Sequence, residues 1–265
     1  MKIAVMTKIF DWKQDPDYAD YLVCSRTGLR YYKKSEVRDY SESYFLEEYK
    51  NQYKKTYFED EEGLRELARR RLGYLQKIKK SGSLLEIGCA AGFFLDEAVK
   101  SGYDACGIDI SESAVSFAQQ KGLPARAISF LDYPGDEKFD IICAFFVIEH
   151  FPDQELVLDR INALLKPGGI FLTGLPSLNG PVFRTNPDEW FKTHPSDHFV
   201  DYSVTSAGKV FEKLGWKISG CWPMSSHQNR DRGWRGKLPA RIYKKLADMT
   251  CYGDTIHILA KKIQE

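Results

Sequence analysis

Short apolar runs alternate with helix-length segments from residue 81 to the end of the 265-residue chain, and this alternation constrains the fold most. Strands separated by amphipathic helices are typical of a mostly parallel sheet covered by helices on both faces. Ser111 and Gly122 bracket one such helix as cap and stop, and Pro167-Gly168-Gly169 predicts a turn. We therefore predict a doubly wound α/β fold. Its strands are expected at residues 84–87, 105–108, 125–128, 139–146, 170–173, 217–221 and 255–260.

Residues 1–80 differ from this pattern, because they are rich in tyrosine and charge and poor in glycine. Within them, residues 60–80 place leucines at helical spacing with arginines and lysines between them. This predicts an amphipathic helix whose basic side chains are solvated. We therefore predict an N-terminal leader or cap region with a helical extension at residues 1–80, and one main domain at residues 81–265.

The overall composition excludes several classes of protein. The chain has 38 Lys+Arg against 37 Asp+Glu, whereas a nucleic-acid binder usually carries a clear basic excess. No run approaches the ~18 apolar residues of a membrane-spanning helix, and Lys8 and Asp11 interrupt any secretory signal. The six cysteines contain no C-x-x-C pair, so we expect no metal site, reduced thiols and a cytoplasmic protein.

The most informative segment is LLEIGCAAGFF at residues 84–94. Gly88 and Gly92 let the backbone turn sharply and approach a ligand, and the turn after the first strand of a doubly wound sheet is where ligands bind. Asp109 ends the second strand, where a carboxylate can accept hydrogen bonds from both hydroxyls of a ribose. Together these features predict a site for an adenosine-containing cofactor.

Two cofactor classes fit this pattern, nicotinamide dinucleotides and S-adenosylmethionine. A dinucleotide site needs a third glycine where the helix begins and faces a pyrophosphate, and this chain has Phe93 there. S-adenosylmethionine carries no phosphate, and its cationic sulfonium and amino-acid moiety suit the carboxylate of Glu86 close to the loop. The pattern therefore favours S-adenosylmethionine.

These motifs resemble those of the class I S-adenosylmethionine-dependent methyltransferases. The residues that match the family's cofactor motifs are Glu86, Gly88, Cys89, Ala90, Gly92 and Asp109. Ala90 stands where the family usually has a central glycine. FDIICAFFVIEHFPD at residues 139–153 and LLKPGGIFLTGLP at residues 164–176 are similar to the family's fourth and fifth strands with their flanking segments. The resemblance implies a Rossmann-like seven-stranded sheet with the order 3-2-1-4-5-7-6 and an antiparallel last strand.

The resemblance also implies further residues around the cofactor. Ser129 and Phe130 follow the third strand, where the adenine is usually flanked, and Ala144 and Phe145 end the fourth, where backbone groups meet the methionine part. Core packing is the alternative role for the phenylalanines. The additional cofactor-binding candidates are Phe93, Ile110, Ser129, Phe130, Ala144 and Phe145.

DEWFKTHPSDHFVDYS at residues 188–203 resembles an insert in a branch of these enzymes that acts on sugars, glycans, quinone precursors and other small metabolites. It implies a small-molecule acceptor and no nucleic-acid partner. If the methylated atom is a hydroxyl oxygen, a base has to take its proton. His150 after the fourth strand, and His194 and His198 in the insert, are the candidate catalytic bases. The same branch often has paired cysteines in its leader, but here Cys24 stands alone.

Residues 230–245 contain seven basic side chains against Asp231 alone. They indicate an anionic acceptor, a membrane surface or a solvated amphipathic helix. The function predicted from the whole sequence is S-adenosylmethionine-dependent methyl transfer to a small molecule, most simply at oxygen. The alternatives are a regulatory module that binds the cofactor without catalysis, and a nicotinamide-dependent oxidoreductase.

Overall fold

The computed structural model describes residues 9–38, 54, 56–225 and 227–263. These residues form two compact units, each assembled from segments that are distant in the sequence. The first unit contains the described residues of Met1–Val37, Phe146–Asn162 and Thr173–Ile263. The second unit contains those of Arg38–Phe145 and Ala163–Leu172. Across the described ranges, no helix combines the length and the apolar character that crossing a bilayer requires.

The described leader contains a small antiparallel sheet ahead of the predicted helix. Strands β1 (Trp12–Gln14), β2 (Tyr21–Cys24) and β3 (Arg30–Tyr32) pair in chain order, and β9 (Val200–Asp201) pairs with β3. Tyr21 and Cys24 are buried in this sheet. Strands of two to four residues are too short for an alternating apolar pattern to be recognised, so this sheet was not predicted.

Seven strands form the main sheet. They are β4 (Ser83–Ile87), β5 (Asp104–Asp109), β6 (Ala125–Ala127), β7 (Phe139–Phe145), β8 (Leu165–Pro176), β10 (Trp216–Ser225) and β11 (Thr255–Lys262). Their order is β10-β11-β8-β7-β4-β5-β6. β4 pairs in parallel with β5 and β7, whereas β10 and β11 pair antiparallel. Counted along the main sheet this is the order 3-2-1-4-5-7-6, which confirms the predicted Rossmann-like α/β fold.

Three helices of the second unit position the loops at the ends of its strands. They are α1 (Glu61–Leu75), α2 (Phe93–Lys100) and α3 (Glu112–Gln120). Ser111 caps α3 as predicted, since its hydroxyl accepts a hydrogen bond from the Ala114 N–H at 3.4 Å. Gly122 follows the helix with a φ of +76°, a conformation that glycine adopts without strain.

The later helices connect the strands at the C-terminal side of the chain. They are α4 (Gln154–Leu164), α5 (Pro181–Thr185), α6 (Pro187–Lys192), α7 (Val204–Lys213) and α8 (Ala240–Thr250). α7 begins with a reciprocal cap, because the side chains of Ser203 and Ser206 each accept a hydrogen bond from the other residue's backbone N–H. Its apolar face is buried at Val210 and Phe211.

The prediction that the basic side chains of α1 are solvated is wrong for two arginines. The side chain of Arg65 is 12% exposed, and its Nη1 lies 2.6 Å from an Asp96 carboxylate oxygen and 2.9 Å from one of Glu97. Arg71 is 7% exposed because it shares the buried face of α1 with Leu72. The helical periodicity correctly placed Leu72 and Leu75 on the buried face of α1, but it did not predict that Arg71 lies on the same face.

The predicted turn at Pro167-Gly168-Gly169 is also wrong. β8 begins at Leu165, directly after α4, and these three residues are part of the strand. Gly168 nevertheless has a φ of +72°. The strand therefore contains a locally twisted start that only glycine accommodates easily.

The expectation that every thiol is reduced is wrong for one pair. Cys221 of β10 and Cys251 after α8 form a disulfide, with Cα atoms 6.1 Å apart. Their separation of 30 residues matches no short cysteine motif, so spacing alone did not reveal the pair. Cys24, Cys89, Cys106 and Cys143 are free.

Candidate functional site

The loop at residues 88–92, called the glycine loop below, joins β4 to α2 in a strained left-handed path. Gly88, Ala90 and Gly92 have φ values of +76°, +46° and +79°. A Cβ on Gly92 would lie 2.7 Å from the Leu123 Cδ1, so this position requires glycine both for its conformation and for space. Ala90 adopts a left-handed conformation at the position where the sequence departs from the family pattern, which costs about 1 kcal/mol for a residue with a Cβ.

Asp109 ties the glycine loop to the end of β5. Its Oδ2 accepts a hydrogen bond from the Ala90 N–H at 2.8 Å, and its Oδ1 accepts one from the Ser111 N–H at 2.9 Å. Burial raises the pKa of this carboxyl, while those two backbone donors act in the opposite direction. The structure therefore brings together the two motifs that the sequence assigned to one cofactor.

Glu86 lies at the end of β4 beside a buried arginine that the sequence analysis did not select. Glu86 is 4% exposed and its Oε2 has no hydrogen-bond partner among the described residues. Burial raises the pKa of Glu86 well above its usual range, and the positive charge of Arg71 counteracts this shift. The guanidinium carbon of Arg71 lies 3.8 Å from the ring centre of Phe145. A carboxyl and a guanidinium are thus held together at a depth where unpaired charges are costly.

The other predicted cofactor residues occupy different environments. Ile128 donates its backbone N–H to the Asp109 carbonyl at 2.9 Å, so the segment leading to Ser129 begins beside Asp109. Ser129 accepts the Leu131 N–H at 3.2 Å and caps a short turn. Ile110 is 55% exposed. The residues that are buried and packed in the second unit are Cys89, Phe93, Phe130, Ala144 and Phe145.

A close approach behind the loop depends on Gly107 of β5. A Cβ there would lie 2.7 Å from the Cys89 Cβ and 2.8 Å from its Sγ. Any larger residue would push the glycine loop away from β5, since real Cβ contacts do not reach these distances. Cys89 is therefore a packing residue of the loop, and burial raises the pKa of its thiol well above the usual range.

His150 belongs to a second group of polar side chains, in the first unit, which we call the histidine cluster. It contains Glu149, His150, His194, Asp197, His198 and Asp201. His150 Nδ1 lies 2.9 Å from the Asp197 carbonyl oxygen and 3.4 Å from an oxygen of its carboxylate. Donation from Nδ1 to that carbonyl leaves the imidazole lone pair at Nε2. The side chain is 19% exposed, so a ligand can reach it.

His194 is enclosed in a buried relay. Its side chain is 0% exposed, and its Nε2 lies 2.8 Å from the Asp201 Oδ2. The Tyr21 hydroxyl donates to the same carboxylate oxygen and accepts the Trp190 indole N–H at 3.1 Å. The His194 ring therefore has no exposed surface in this structure.

Glu149 and His198 are both held in uncharged forms. Glu149 is completely buried, neither of its carboxylate oxygens has a hydrogen-bond partner among the described residues, and burial raises its pKa to about 8. Burial and repulsion from His150 lower the pKa of His198 to about 3. One ligand atom from each of Glu149, His150 and His198 lies within 4.8 Å of the others. A carboxylate and two imidazoles are a donor set that divalent metals accept, although the sequence predicted no metal site.

Sequence reasoning missed Arg71, Glu149, Asp197 and Asp201. Arg71 had a usable signal, because it lies three residues after Ala68 and four before Leu75 on one buried helical face. Glu149 stands next to His150 in the EHFPD segment. The two aspartates come into the cluster only because β9 pairs with the leader sheet, which no local pattern predicted.

The chain matches a known family over most of its main domain. The model of the family described as "Methyltransferase domain" matches residues 57–219, more than half of the chain. The match contains the glycine loop, Asp109 and the histidine cluster.

Among curated proteins, the ubiquinone biosynthesis O-methyltransferase of Nitrobacter winogradskyi is 36% identical over 150 residues. The aligned part covers 51% of this chain and 57% of that protein. The ubiquinone biosynthesis O-methyltransferase of a Bradyrhizobium species is 32% identical, with 54% and 66% covered. The chain thus spans about three fifths of the length of these relatives.

Solved structures share the fold. A SAM-dependent methyltransferase from Archaeoglobus fulgidus has a TM-score of 0.59 at 20% identity, with 84% of this chain and 100% of that chain covered. An N-methyltransferase from Bradyrhizobium japonicum in complex with S-adenosyl-L-homocysteine has a TM-score of 0.53 at 18% identity, with 76% and 87% covered. With the sheet order and the family match, the conclusion is direct: the chain belongs to the methyltransferase domain family, the class I enzymes that use S-adenosylmethionine.

Proposed function

We propose that this protein transfers the methyl group of S-adenosylmethionine to a hydroxyl oxygen of a small-molecule acceptor. Family membership supports the methyl donor, and the relatives from Nitrobacter winogradskyi and Bradyrhizobium carry O-methyltransferase in their names. The observation that carries the choice of oxygen is the fixed imidazole of His150, whose Nδ1 is held by Asp197. A hydroxyl acceptor needs such a base, because its proton has to leave as the new C–O bond forms.

The cofactor would be held by the residues of the second unit. Asp109 is proposed to accept hydrogen bonds from the ribose hydroxyls, since each carboxylate oxygen has capacity beyond its one backbone donor. The glycine loop supplies a close backbone approach. Glu86 and Arg71 offer a carboxyl and a guanidinium side by side, which suits the amino and carboxylate ends of the methionine moiety. Ile110, Ser129 and Phe130 are proposed to flank the adenine.

The chemical step needs little from the protein beyond alignment and a base. S-adenosylmethionine supplies an electrophilic methyl group on a sulfonium. When bound, it would give this methyl group to the acceptor oxygen, with the S–C bond broken as the C–O bond forms, and would leave as S-adenosylhomocysteine. His150 Nε2 takes the hydroxyl proton, and Asp197 stabilises the resulting imidazolium through its carbonyl and carboxylate.

The other two histidines have different proposed roles. His194 holds Asp201 and the insert in place from a fully buried position. His198 packs against His150 with ring centres 4.8 Å apart, and its low pKa keeps it neutral, so the two rings are not both charged. His150 is therefore the proposed catalytic residue, and His194 and His198 are proposed positioning residues.

The acceptor is proposed to be a sugar, a glycan precursor or a phenolic metabolite that carries an anionic group. The basic side chains of residues 230–245 support the anionic group. We also propose that the protein has no nucleic-acid partner, since its 38 basic and 37 acidic residues nearly cancel. The cytoplasmic location stays a prediction, and the disulfide between Cys221 and Cys251 counts against it, because the cytosol keeps thiols reduced.

The proposal is tested in two steps. Calorimetry with S-adenosylmethionine and S-adenosylhomocysteine first measures binding of the cofactor and its product. A panel of phenolic acids and sugar phosphates is then screened for S-adenosylhomocysteine release, with each acceptor paired with a derivative whose hydroxyls are already methylated. We expect release only from the free hydroxyl forms. Release that persists with the blocked derivatives, or methyl groups found on nitrogen or carbon, would overturn O-methylation.

A further inference from the structure

Residues 230–245 form a concentrated positive region that the described residues do not neutralise. Within this segment only Lys244 takes part in an ion pair with the described residues, at 3.0 Å from Asp248. The basic side chains without an ion pair to any described residue are Arg230, Arg232, Arg235, Lys237, Arg241 and Lys245. Most exposed basic side chains on a helix are simply solvated, so charge alone does not make this region a site.

A cavity of about 290 Å³ next to this segment supplies the second observation. It lies within the first unit and is lined by two guanidinium groups from separate parts of the chain, Arg184 of α5 and Arg235 of a short 3₁₀ turn at Trp234–Lys237. Arg184 has no hydrogen bond or ion pair from its side chain to the described residues. The volume is near the lower end of the range for small-molecule sites. Two arginines that line one cavity are a recurrent arrangement for phosphate.

Arg235 is held in place without losing its charge. Its guanidinium carbon lies 4.4 Å from the ring centre of Tyr252 and 5.6 Å from that of Trp234, and its Nη1 donates to the Thr250 hydroxyl at 3.4 Å. Stacking fixes the plane of the guanidinium but leaves it cationic. A preorganised donor of this kind loses little conformational freedom when it binds an anion.

Asp231 is the one acidic residue that lines the cavity, and its oxygens serve the scaffold. Oδ1 accepts the Gly233 N–H at 2.8 Å, and Oδ2 accepts the Tyr252 hydroxyl at 3.1 Å. The carboxylate therefore fixes the loop and the ring on which Arg235 stacks. The cavity is lined by two arginines and one carboxylate, so its net charge favours an anion.

Trp234 adds a flat apolar surface at the same cavity. It is 66% exposed, which is unusual for a residue of this size. An indole beside a guanidinium offers stacking to a planar ring and charge to a phosphate in one place. Neither a bare phosphate nor a neutral ring would use both surfaces.

We infer that the cavity between Arg184 and Arg235 binds a phosphate-bearing ligand with a planar ring, the chemistry of a nucleoside diphosphate. The ligand has two sources to distinguish. One is a free nucleotide, and the other is a methyl acceptor to which the nucleotide is attached, such as a nucleotide sugar. The inference rests on the proposed function only for the second source. Binding itself is measured without methyl transfer.

Calorimetry on the full-length protein with uridine diphosphate, inorganic pyrophosphate and uridine tests the inference. We expect uridine diphosphate to bind best, and Arg184→Ala and Arg235→Ala each to weaken it at least tenfold. Arg235→Lys, which keeps the charge but not the planar fork, should weaken it less than Arg235→Ala. Trp234→Ala should weaken uridine diphosphate about fivefold, in line with a stacking contribution of ~1 kcal/mol, and leave pyrophosphate unchanged.

Arg241→Ala is the matched control, because it removes one exposed charge from α8 without lining the cavity. Unchanged calorimetric binding of S-adenosylmethionine shows that each variant is folded. Equal losses in Arg241→Ala and Arg184→Ala, or no binding of uridine diphosphate to the unmodified protein, would overturn the inference. S-adenosylhomocysteine release with a uridine diphosphate sugar identifies the acceptor as the source, and binding without release identifies a separate nucleotide; both uphold the site.

Discussion

The glycine loop of the second unit and the histidine cluster of the first unit differ in whether their polar groups have hydrogen-bond partners. In the glycine loop the N–H groups of Gly88 and Cys89 both donate to the Ile108 carbonyl, and that of Ala90 donates to Asp109. In the histidine cluster, four buried polar atoms have no partner among the described residues: both carboxylate oxygens of Glu149, the Asp201 Oδ1 and the His194 Nδ1. Four N–H groups of the loop have hydrogen-bond acceptors, those of Gly88, Cys89, Ala90 and Gly92, whereas the cluster retains buried side-chain atoms without partners among the described residues.

This difference is consistent with the two proposed roles, cofactor binding at the glycine loop and proton transfer in the histidine cluster. A loop built from partnered backbone groups keeps one shape, which suits a cofactor that every turnover uses in the same way. Buried groups with unmet capacity carry a free-energy cost of about 1–3 kcal/mol each. A protein tolerates such a cost where a ligand, a proton or a metal binds to these groups during function. The unpartnered groups therefore support the histidine cluster as the place of the proposed proton transfer.

The strongest test of this contrast is His150→Gln in the histidine cluster. We expect turnover with a hydroxyl acceptor to fall about a thousandfold, because general bases typically contribute 10²–10⁴-fold. Calorimetric binding of S-adenosylmethionine should remain unchanged. The matched control is His227→Gln, which disrupts another histidine–aspartate pair of the same unit, with Nδ1 2.7 Å from Asp254. Full turnover in the His150 variant would remove the proposed base.

The corresponding test of the glycine loop is Asp109→Ala. We expect the dissociation constant of S-adenosylmethionine to rise about a hundredfold, since two hydrogen bonds to a charged group contribute ~3 kcal/mol together. Calorimetry measures the change. Asp104→Ala provides the control, because Asp104 is an exposed carboxylate at the opposite end of β5. Equal affinities for the two variants would contradict a ribose contact at Asp109.

The smallest expected effect, taken per pH unit, concerns Glu149 and the pH dependence of stability. The unfolded chain loses this proton near the ordinary carboxyl pKa of 4.5, whereas the folded protein keeps it until about pH 8. The folded state therefore binds more protons in this window, so the free energy of unfolding falls as pH rises, by up to about 1.4 kcal/mol per pH unit. Glu149→Gln removes the titrating group and should flatten this fall.

Urea denaturation of the wild type and the Glu149→Gln variant between about pH 4 and pH 9 measures this slope. The two curves should converge below the ordinary pKa of 4.5, where the wild-type carboxyl is protonated in both states. Above about pH 8 the wild-type contribution should level off, since the folded state also loses the proton there. Parallel curves over the whole range would contradict a raised pKa at Glu149.

The glycine loop could be predicted from the sequence because its requirements are local. The turn requires glycine at Gly88 and Gly92, and the end of β5 places a carboxylate at Asp109. Each requirement is visible in the sequence as a residue type at a fixed spacing. The local patterns predicted where the strands lie, whereas their order in the sheet was implied only by the family resemblance. Strand ends were less predictable: β10 extends to Ser225 rather than residue 221 because its pairing with β11 continues there.

The histidine cluster could be predicted only as a set of histidines. Which of the three is accessible depends on Asp197 and Asp201, and on a Tyr21 hydroxyl that lies 180 residues away in the chain from its carboxylate partner. Arg71 was missed for another reason. A charged residue on a buried helical face breaks the binary pattern, and such exceptions occur where function places a charge.

The shared carboxylate of Asp201 has a consequence for how this protein varies among its relatives. Tyr21, Trp190 and His194 all depend on that one side chain, directly or through the tyrosine hydroxyl. Replacing any one of them removes a hydrogen-bond partner from a neighbouring polar group. Substitutions at these positions should therefore appear jointly in homologous sequences rather than singly. A fragment trimmed to the family match at residue 57 would lack Tyr21, so the Trp190 indole N–H would lose its acceptor and the Asp201 carboxylate one of its donors.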